Sequence, residues 1–191
     1  MARRLATAGG LLLSAGLALT STLTLSAPAQ AALPGKAQWV NDVHTAMTGS
    51  NGWLDARLKQ GGSKLAVNFD IDNTSLATHY APGDPVPYVR HFAWHARSHH
   101  LALLFNTGRV KGDGRLKRAT AQLEAAGYAV TEICGRSSSK ESLSHSKQRC
   151  RQHFVNEGYT LVANVGNRAT DFTGGNYEKA FRLPDYDKQL G

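Results

Sequence analysis

The sequence predicts an α/β domain: a mostly parallel sheet flanked by helices. Three observations carry that expectation. Short apolar runs alternate with stretches of helical period, three of those runs end directly in polar clusters, and the composition suits one packed core. With 191 residues, 41% of them hydrophobic and 19% charged, the chain is too apolar to be disordered and lacks the repeats of a fibrous protein.

The first element is not part of that domain. Residues 1–31 hold Arg3 and Arg4, an apolar run over 11–25 broken by small residues, and Ala29-Gln30-Ala31. That order reads as a secretory signal peptide cleaved after Ala31, with a core too short and too rich in Ser and Thr for a membrane span. The domain then covers 32–191. The expected protein is exported, secreted or otherwise extracytoplasmic, and makes no membrane contact once the leader is gone.

Residues 38–58 carry Trp39, Val40, Val43, Met47, Trp53, Leu54 and Leu58 around Gly49-Ser50-Asn51-Gly52, which reads as two short helices. Strands follow at 65–69, 101–105, 128–133 and 160–165. Between them Leu116, Ala119, Leu123 and Ala126 form a helix stopped by Gly127, and Leu143, Cys150 and Phe154 another closed by Gly158. The 76–100 stretch combines Pro82, Pro85 and Pro87 with an aromatic segment holding Tyr88, Phe92 and Trp94. It leaves two readings, a small helical lid or an ordinary crossover helix behind a long loop. His91, His95 and His99 fall at i, i+4 and i+8, where a solvated helix face weighs more than a metal site.

The chemistry follows the strands. Phe69 leads into Asp70-Ile71-Asp72-Asn73-Thr74, Phe105 into Asn106-Thr107-Gly108-Arg109, and Val165 into Gly166-Asn167-Arg168-Ala169-Thr170-Asp171. In an open parallel sheet, ligands bind beyond the carboxyl ends of the strands, so these clusters converge on one crevice. Asp70 and Asp72 repel one another there unless a countercharge offsets them. A hard divalent cation of the magnesium type, which takes oxygen ligands and phosphate, suits that pair. The same pair supplies a nucleophile and an adjacent acid or base, although a solvated Asp-rich turn is the bland alternative. Thr107, the N–H groups around Gly108 and Arg109 suit a phosphate. Lys147 lies on the apolar stripe of Leu143, Cys150 and Phe154, where a buried ammonium needs acidic partners. If Ser138-Ser139-Lys140-Glu141 instead opens that helix, Lys140 takes its place.

Taken in order, these four clusters resemble the motifs of the haloacid dehalogenase (HAD) superfamily. They are most similar to its subfamily IIIB acid phosphatases, of the plant vegetative storage and bacterial class B types, and residues 179–184 are similar to that subfamily's last strand and tail. The resemblance implies a Rossmann-like HAD fold with a small helical cap at about 76–100, and a Mg2+-dependent acid phosphatase acting on small phosphorylated substrates. Asp70 would form an aspartyl-phosphate, and Asp72 would protonate the leaving alcohol and then activate water. Thr107 and Lys147 would hold the phosphoryl oxygens, with Asn106, Gly108 and Arg109 on the substrate. The metal would lie among Asp70, the Asp72 backbone carbonyl, Asn167 and Asp171. Asn167 departs from the family's usual aspartate, which keeps open a weakened phosphate-binding or storage protein.

The remaining features are less specific. Cys134 and Cys150 are the only cysteines, and an exported chain leaves them as a disulfide or as two buried thiols. The formal charge of +8 favours anionic partners in general. The basic residues do not form a run and no nucleic-acid signature appears, so no specific nucleic acid is expected. The oligomeric state is not legible.

Overall fold

The structure, a computed structural model, describes residues 32–190, so the expected leader and its cleavage site lie outside the described residues. Two helices open it, α1 (Lys36–Met47) and α2 (Ser50–Leu58). They are joined at Gly49, whose φ of 79° is left-handed and costs a residue without Cβ little. Strand β1 (Leu65–Phe69) follows, then α3 (Pro87–Ser98), β2 (Ala102–Val110), α4 (Arg115–Ala125) and β3 (Glu132–Arg136). The chain ends with α5 (Leu143–Asn156), β4 (Thr160–Gly166), a 3-10 turn at Ala169–Asp171 and β5 (Lys179–Arg182). No helix among the described residues is long and apolar enough to cross a membrane.

The five strands form one sheet in the order β3-β2-β1-β4-β5, with every neighbouring pair parallel. Strand order reverses at β1, because β2 and β3 build outward on one side and β4 and β5 on the other. Phe69 lies opposite Phe105 and Val165, and Val165 opposite Phe181. One residue beyond that row come Asp70, Asn106 and Gly166, level with one another at the carboxyl edge.

Side-chain alternation divides the core. Val67, Phe69, Leu103 and Phe105 point toward α1 to α4 and pack with Trp39, Val43, Leu54, Phe92 and Leu123. Ala66, Leu104 and Leu161 point the other way and are covered by Phe154 of α5. By the same alternation Asn68, Asp70 and Asn106 belong to the α5 face, which decides which helix meets Asp70.

The structure closes several open alternatives and shifts some element bounds. Helix α3 is a crossover helix rather than a lid. Val89, Phe92, Ala93 and Ala96 are buried, and the Phe92 ring lies 6.3 Å from Phe69 and 5.2 Å from Phe181. Its apolar stripe is consumed by the sheet. The other aromatic residues near it are also engaged: Tyr80 stacks on Trp39, Tyr88 on His44, and the Trp94 indole N–H donates to the Gly127 carbonyl at 2.9 Å. Strand β2 runs on through Asn106-Thr107-Gly108-Arg109, because β3 continues to pair with it as far as Val110. β3 starts at Glu132, later than its apolar run suggests, because Tyr128 is taken into the core against Phe105 and donates to the Ser75 carbonyl at 2.9 Å. Cys134 and Cys150 form a disulfide tying β3 to α5, with their Cα atoms 5.6 Å apart.

Candidate active site

The chain leaves β1 at Asp70, whose N–H donates to the Val165 carbonyl of β4 at 2.9 Å. Its own carbonyl accepts the Ser75 hydroxyl at 2.7 Å, so the backbone turns sharply and remains fully bonded. One carboxylate oxygen accepts the Thr74 hydroxyl at 3.1 Å and the other the Lys147 ammonium. Burial and the neighbouring Asp171 carboxylate push the Asp70 carboxyl up to about 7, against the pull of Lys147.

Lys147 reaches this point because α5 starts at Leu143, with the Ser142 hydroxyl accepting the His145 N–H at 3.3 Å as the N-cap. Lys140 is left exposed in the preceding loop, which decides between the two lysines. The Lys147 ammonium also meets Asp171 at 2.7 Å and the Asn106 carbonyl at 2.6 Å. Asn106 closes the loop from the other side, its amide donating to the Lys147 carbonyl at 2.8 Å. Burial alone would lower the Lys147 pKa, but Asp171 and Asp70 outweigh it and hold the group charged.

Asp171 sits in the 3-10 turn after β4. Its carboxylate accepts the Arg168 N–H at 2.9 Å, and it presses against Gly166 so closely that a Cβ there would lie 2.5 Å from its oxygen. Glycine is therefore required for this approach. The Asp171 carbonyl accepts the Asn164 amide at 2.9 Å and the Arg151 guanidinium at 2.6 Å. Asn167 turns its amide oxygen toward the Thr74 hydroxyl at 3.4 Å, while its buried amide nitrogen has no hydrogen-bond partner.

Asp72 lies at the mouth, a third exposed, and accepts a fork from Arg109 at 3.0 and 2.7 Å together with the Thr78 hydroxyl at 2.9 Å. Burial pushes its carboxyl up, but the Arg109 and Thr78 hydrogen bonds win and hold it below the ordinary value. Arg109 also donates to Gln122 at 2.7 Å. Arg109 therefore meets Asp72 directly, a contact that residue type and spacing do not indicate.

A cavity of about 310 Å³ opens on this cluster, lined by Asp70, Asp72, Gly108, Lys147, Arg168 and Asp171, with Leu143 and Thr170. Of the expected residues, Asn106 and Thr107 are buried behind it, and the Thr107 hydroxyl accepts the Arg109 N–H at 3.2 Å. Arg168 and Leu143 also line it, although their motifs assign neither a role in the sequence. Arg151, fully buried, holds the carbonyls of Asp171, Thr173 and Gly175. Its signal is its place four residues after Lys147, on the same helix face.

The donors around Asp70, Asp171 and Asn167 are all oxygen, and two buried carboxylates there share one ammonium. That set fits a hard divalent cation. A different group forms between α2 and the end of α3, where Asp55, His95 and the C-cap residue His99 bring ligand atoms within 4.8 Å of one another. His91 does not join them; it faces a separate cavity with His44. His99 neighbours Leu65 and Ala102, which open β1 and β2, so this group lies at the opposite edge of the sheet from Asp70.

The model of the HAD superfamily, subfamily IIIB (acid phosphatase), matches residues 81–189. That span takes in Asn106, Lys147 and Asp171 but starts beyond Asp70 and Asp72, so those two acids rest on the geometry above. Among solved structures the chain is similar to the class C acid phosphatase from Bacillus anthracis, with 16% identity, 78% of each chain covered and a TM-score of 0.58. It is also similar to the tungstate-bound form of that protein, with 17% identity, 78% of each chain covered and a TM-score of 0.56. A search of curated proteins finds no match. The family match covers more than half of the chain, which thus belongs to the HAD superfamily, subfamily IIIB (acid phosphatase), and is a phosphoric monoester hydrolase.

Proposed function

We propose that the chain is an exported, Mg2+-dependent acid phosphatase that hydrolyses small phosphate monoesters through an aspartyl-phosphate at Asp70. One observation carries this reading: a carboxylate at the strand-order reversal faces a cavity, with one oxygen on Lys147 and the other on Thr74. An Asp70 oxygen attacks phosphorus as the ester P–O bond breaks, and the leaving oxygen takes a proton from Asp72. Asp72 then removes a proton from water, which attacks the phosphorus and releases phosphate and the Asp70 carboxylate. Arg109 and Thr78 orient Asp72 and favour its ionised form, which is the form that accepts the proton from water. That proton regenerates the acid used on the leaving oxygen, and the first one is taken up from the acidic medium. Lys147 and Arg168 place positive charge at the phosphoryl oxygens, while Asn106 fixes Lys147 from behind.

Asp70, Asp171, the Asn167 amide oxygen and the Asp72 backbone carbonyl would hold the cation, which when bound neutralises charge on the phosphoryl group. Export is supported by the leader composition and by the disulfide, which persists in oxidising compartments. The alternative of a storage or phosphate-binding protein has no observation in its favour.

The test is phosphate release from an aryl phosphate, with and without chelator. Activity should vanish with chelator and return with added magnesium. Asp70→Asn should lower turnover by about three orders of magnitude or more while leaving the protein folded by circular dichroism. A variant with the parent rate would remove Asp70 as nucleophile.

A further inference from the structure

The positive charge has no obvious location along the sequence, but the fold gathers part of it in one place. Arg109 and Gly108 at the end of β2, Arg115, Arg118 and Gln122 on one face of α4, and Arg136 at the end of β3 line a cavity of about 480 Å³. No carboxylate among the described residues lines it. Gly108 belongs to this cavity and to the one that holds Asp70, so the two adjoin. Arg109 is the partition, bonded on one side to Asp72 and on the other to Gln122.

Helix α4 supplies an independent observation. Its N-cap is Gly114, with no side-chain cap and no acidic residue in the first turn. Arg115, Lys117 and Arg118 open it instead. Cations at the positive end of a helix dipole are unfavourable, and an anion placed there would relieve both the dipole and the mutual repulsion of the arginines. Arg118 and Arg136 are held in place by carbonyls, Arg118 by Asp113 and Arg136 by Ser139 and Glu141. These bonds pin the side chains without neutralising them, and guanidinium forks match phosphate oxygens.

We propose that this cavity is a second phosphate subsite, and that the preferred substrates are small molecules carrying a second phosphate besides the one that is hydrolysed. The proposal rests on the phosphatase reading of the Asp70 site. The second phosphate lies against Arg115, Arg118 and Arg136 and is not cleaved. It supplies binding energy remote from the reacting phosphorus, which raises kcat/KM for bisphosphates over monophosphates.

The experiment compares a hexose bisphosphate with the corresponding hexose monophosphate on the full chain with magnesium. The kcat/KM ratio should favour the bisphosphate by roughly tenfold or more, as expected for charge-assisted hydrogen bonds. It should fall toward one in the Arg115→Ala/Arg118→Ala double variant and shrink with added salt. A wild-type ratio near one, or a ratio unchanged in the double variant, overturns the subsite. An oligonucleotide with a terminal phosphate turned over with higher kcat/KM than the bisphosphate overturns the small-molecule assignment. Calorimetry on the Asp70→Asn protein separates this from the underlying reading. If no hexose or aryl phosphate is hydrolysed, the phosphatase reading fails, while tighter binding of the bisphosphate that depends on Arg115 and Arg118 still upholds the subsite, and its absence overturns it.

Discussion

Asn167 is the weakest of the proposed cation ligands. Its amide oxygen brings no charge to a corner that Asp70 and Asp171 already share with Lys147, and its nitrogen is buried without a partner. Restoring a carboxylate with Asn167→Asp should strengthen cation binding, since affinity for hard cations rises with ligand charge. The magnesium concentration for half-maximal phosphate release should fall by roughly tenfold. An unchanged value would place the cation away from residue 167. Lys147 is the opposite case, a charge whose loss leaves two buried carboxylates facing each other. Lys147→Met should lower unfolding stability in chelator by about 3 to 5 kcal/mol, measured by urea denaturation, and added magnesium should recover part of it. Equal stability of the two proteins would mean that the ammonium contributes no net pairing energy.

Among the elements, α5 does most to assemble the site. Lys147 and Arg151, four residues apart, hold Asp70 and the loop after β4 respectively, while Cys150 fastens the helix to β3. The loop that leads into α5 is organised by Glu141, which accepts the Ser137 N–H at 2.6 Å and pairs with Arg149 at 2.8 Å. Arg149, with the Ser137 hydrogen bonds, holds this carboxyl well below its ordinary 4.5. A depressed carboxyl stabilises the fold above its unfolded pKa, and the effect is lost as pH falls through the folded value. Glu141→Gln should therefore lower unfolding stability at neutral pH by about 1 to 3 kcal/mol. The difference from the parent should close only in strong acid, which melting curves across pH would read. A gap that stays constant into strong acid would mean that the carboxylate charge is not what matters there.

Across the whole molecule, the disulfide joins the edge strand β3 to α5, the helix on the face of the sheet that carries Asp70. Reducing it under non-denaturing conditions should lower unfolding stability by about 3 kcal/mol in the chain-entropy account, with a comparable loss in the Cys134→Ala/Cys150→Ala variant. Equal midpoints of oxidised and reduced protein in guanidinium would contradict that contribution.

The sequence by itself was sufficient for the alternation of strands and helices and for the polar clusters that follow the apolar runs of β1, β2 and β4. All of these are periodicities or spacings along one stretch of chain. Only the tertiary structure decided that Lys140 stays in the loop, that Arg109 grips Asp72, that α3 packs on the sheet, that the two cysteines meet, and that scattered arginines line one cavity. Those outcomes depend on strand order and register, which bring residues such as 72 and 109, or 115 and 136, together across the sheet. No local pattern encodes a distance between segments that become neighbours only when the core closes.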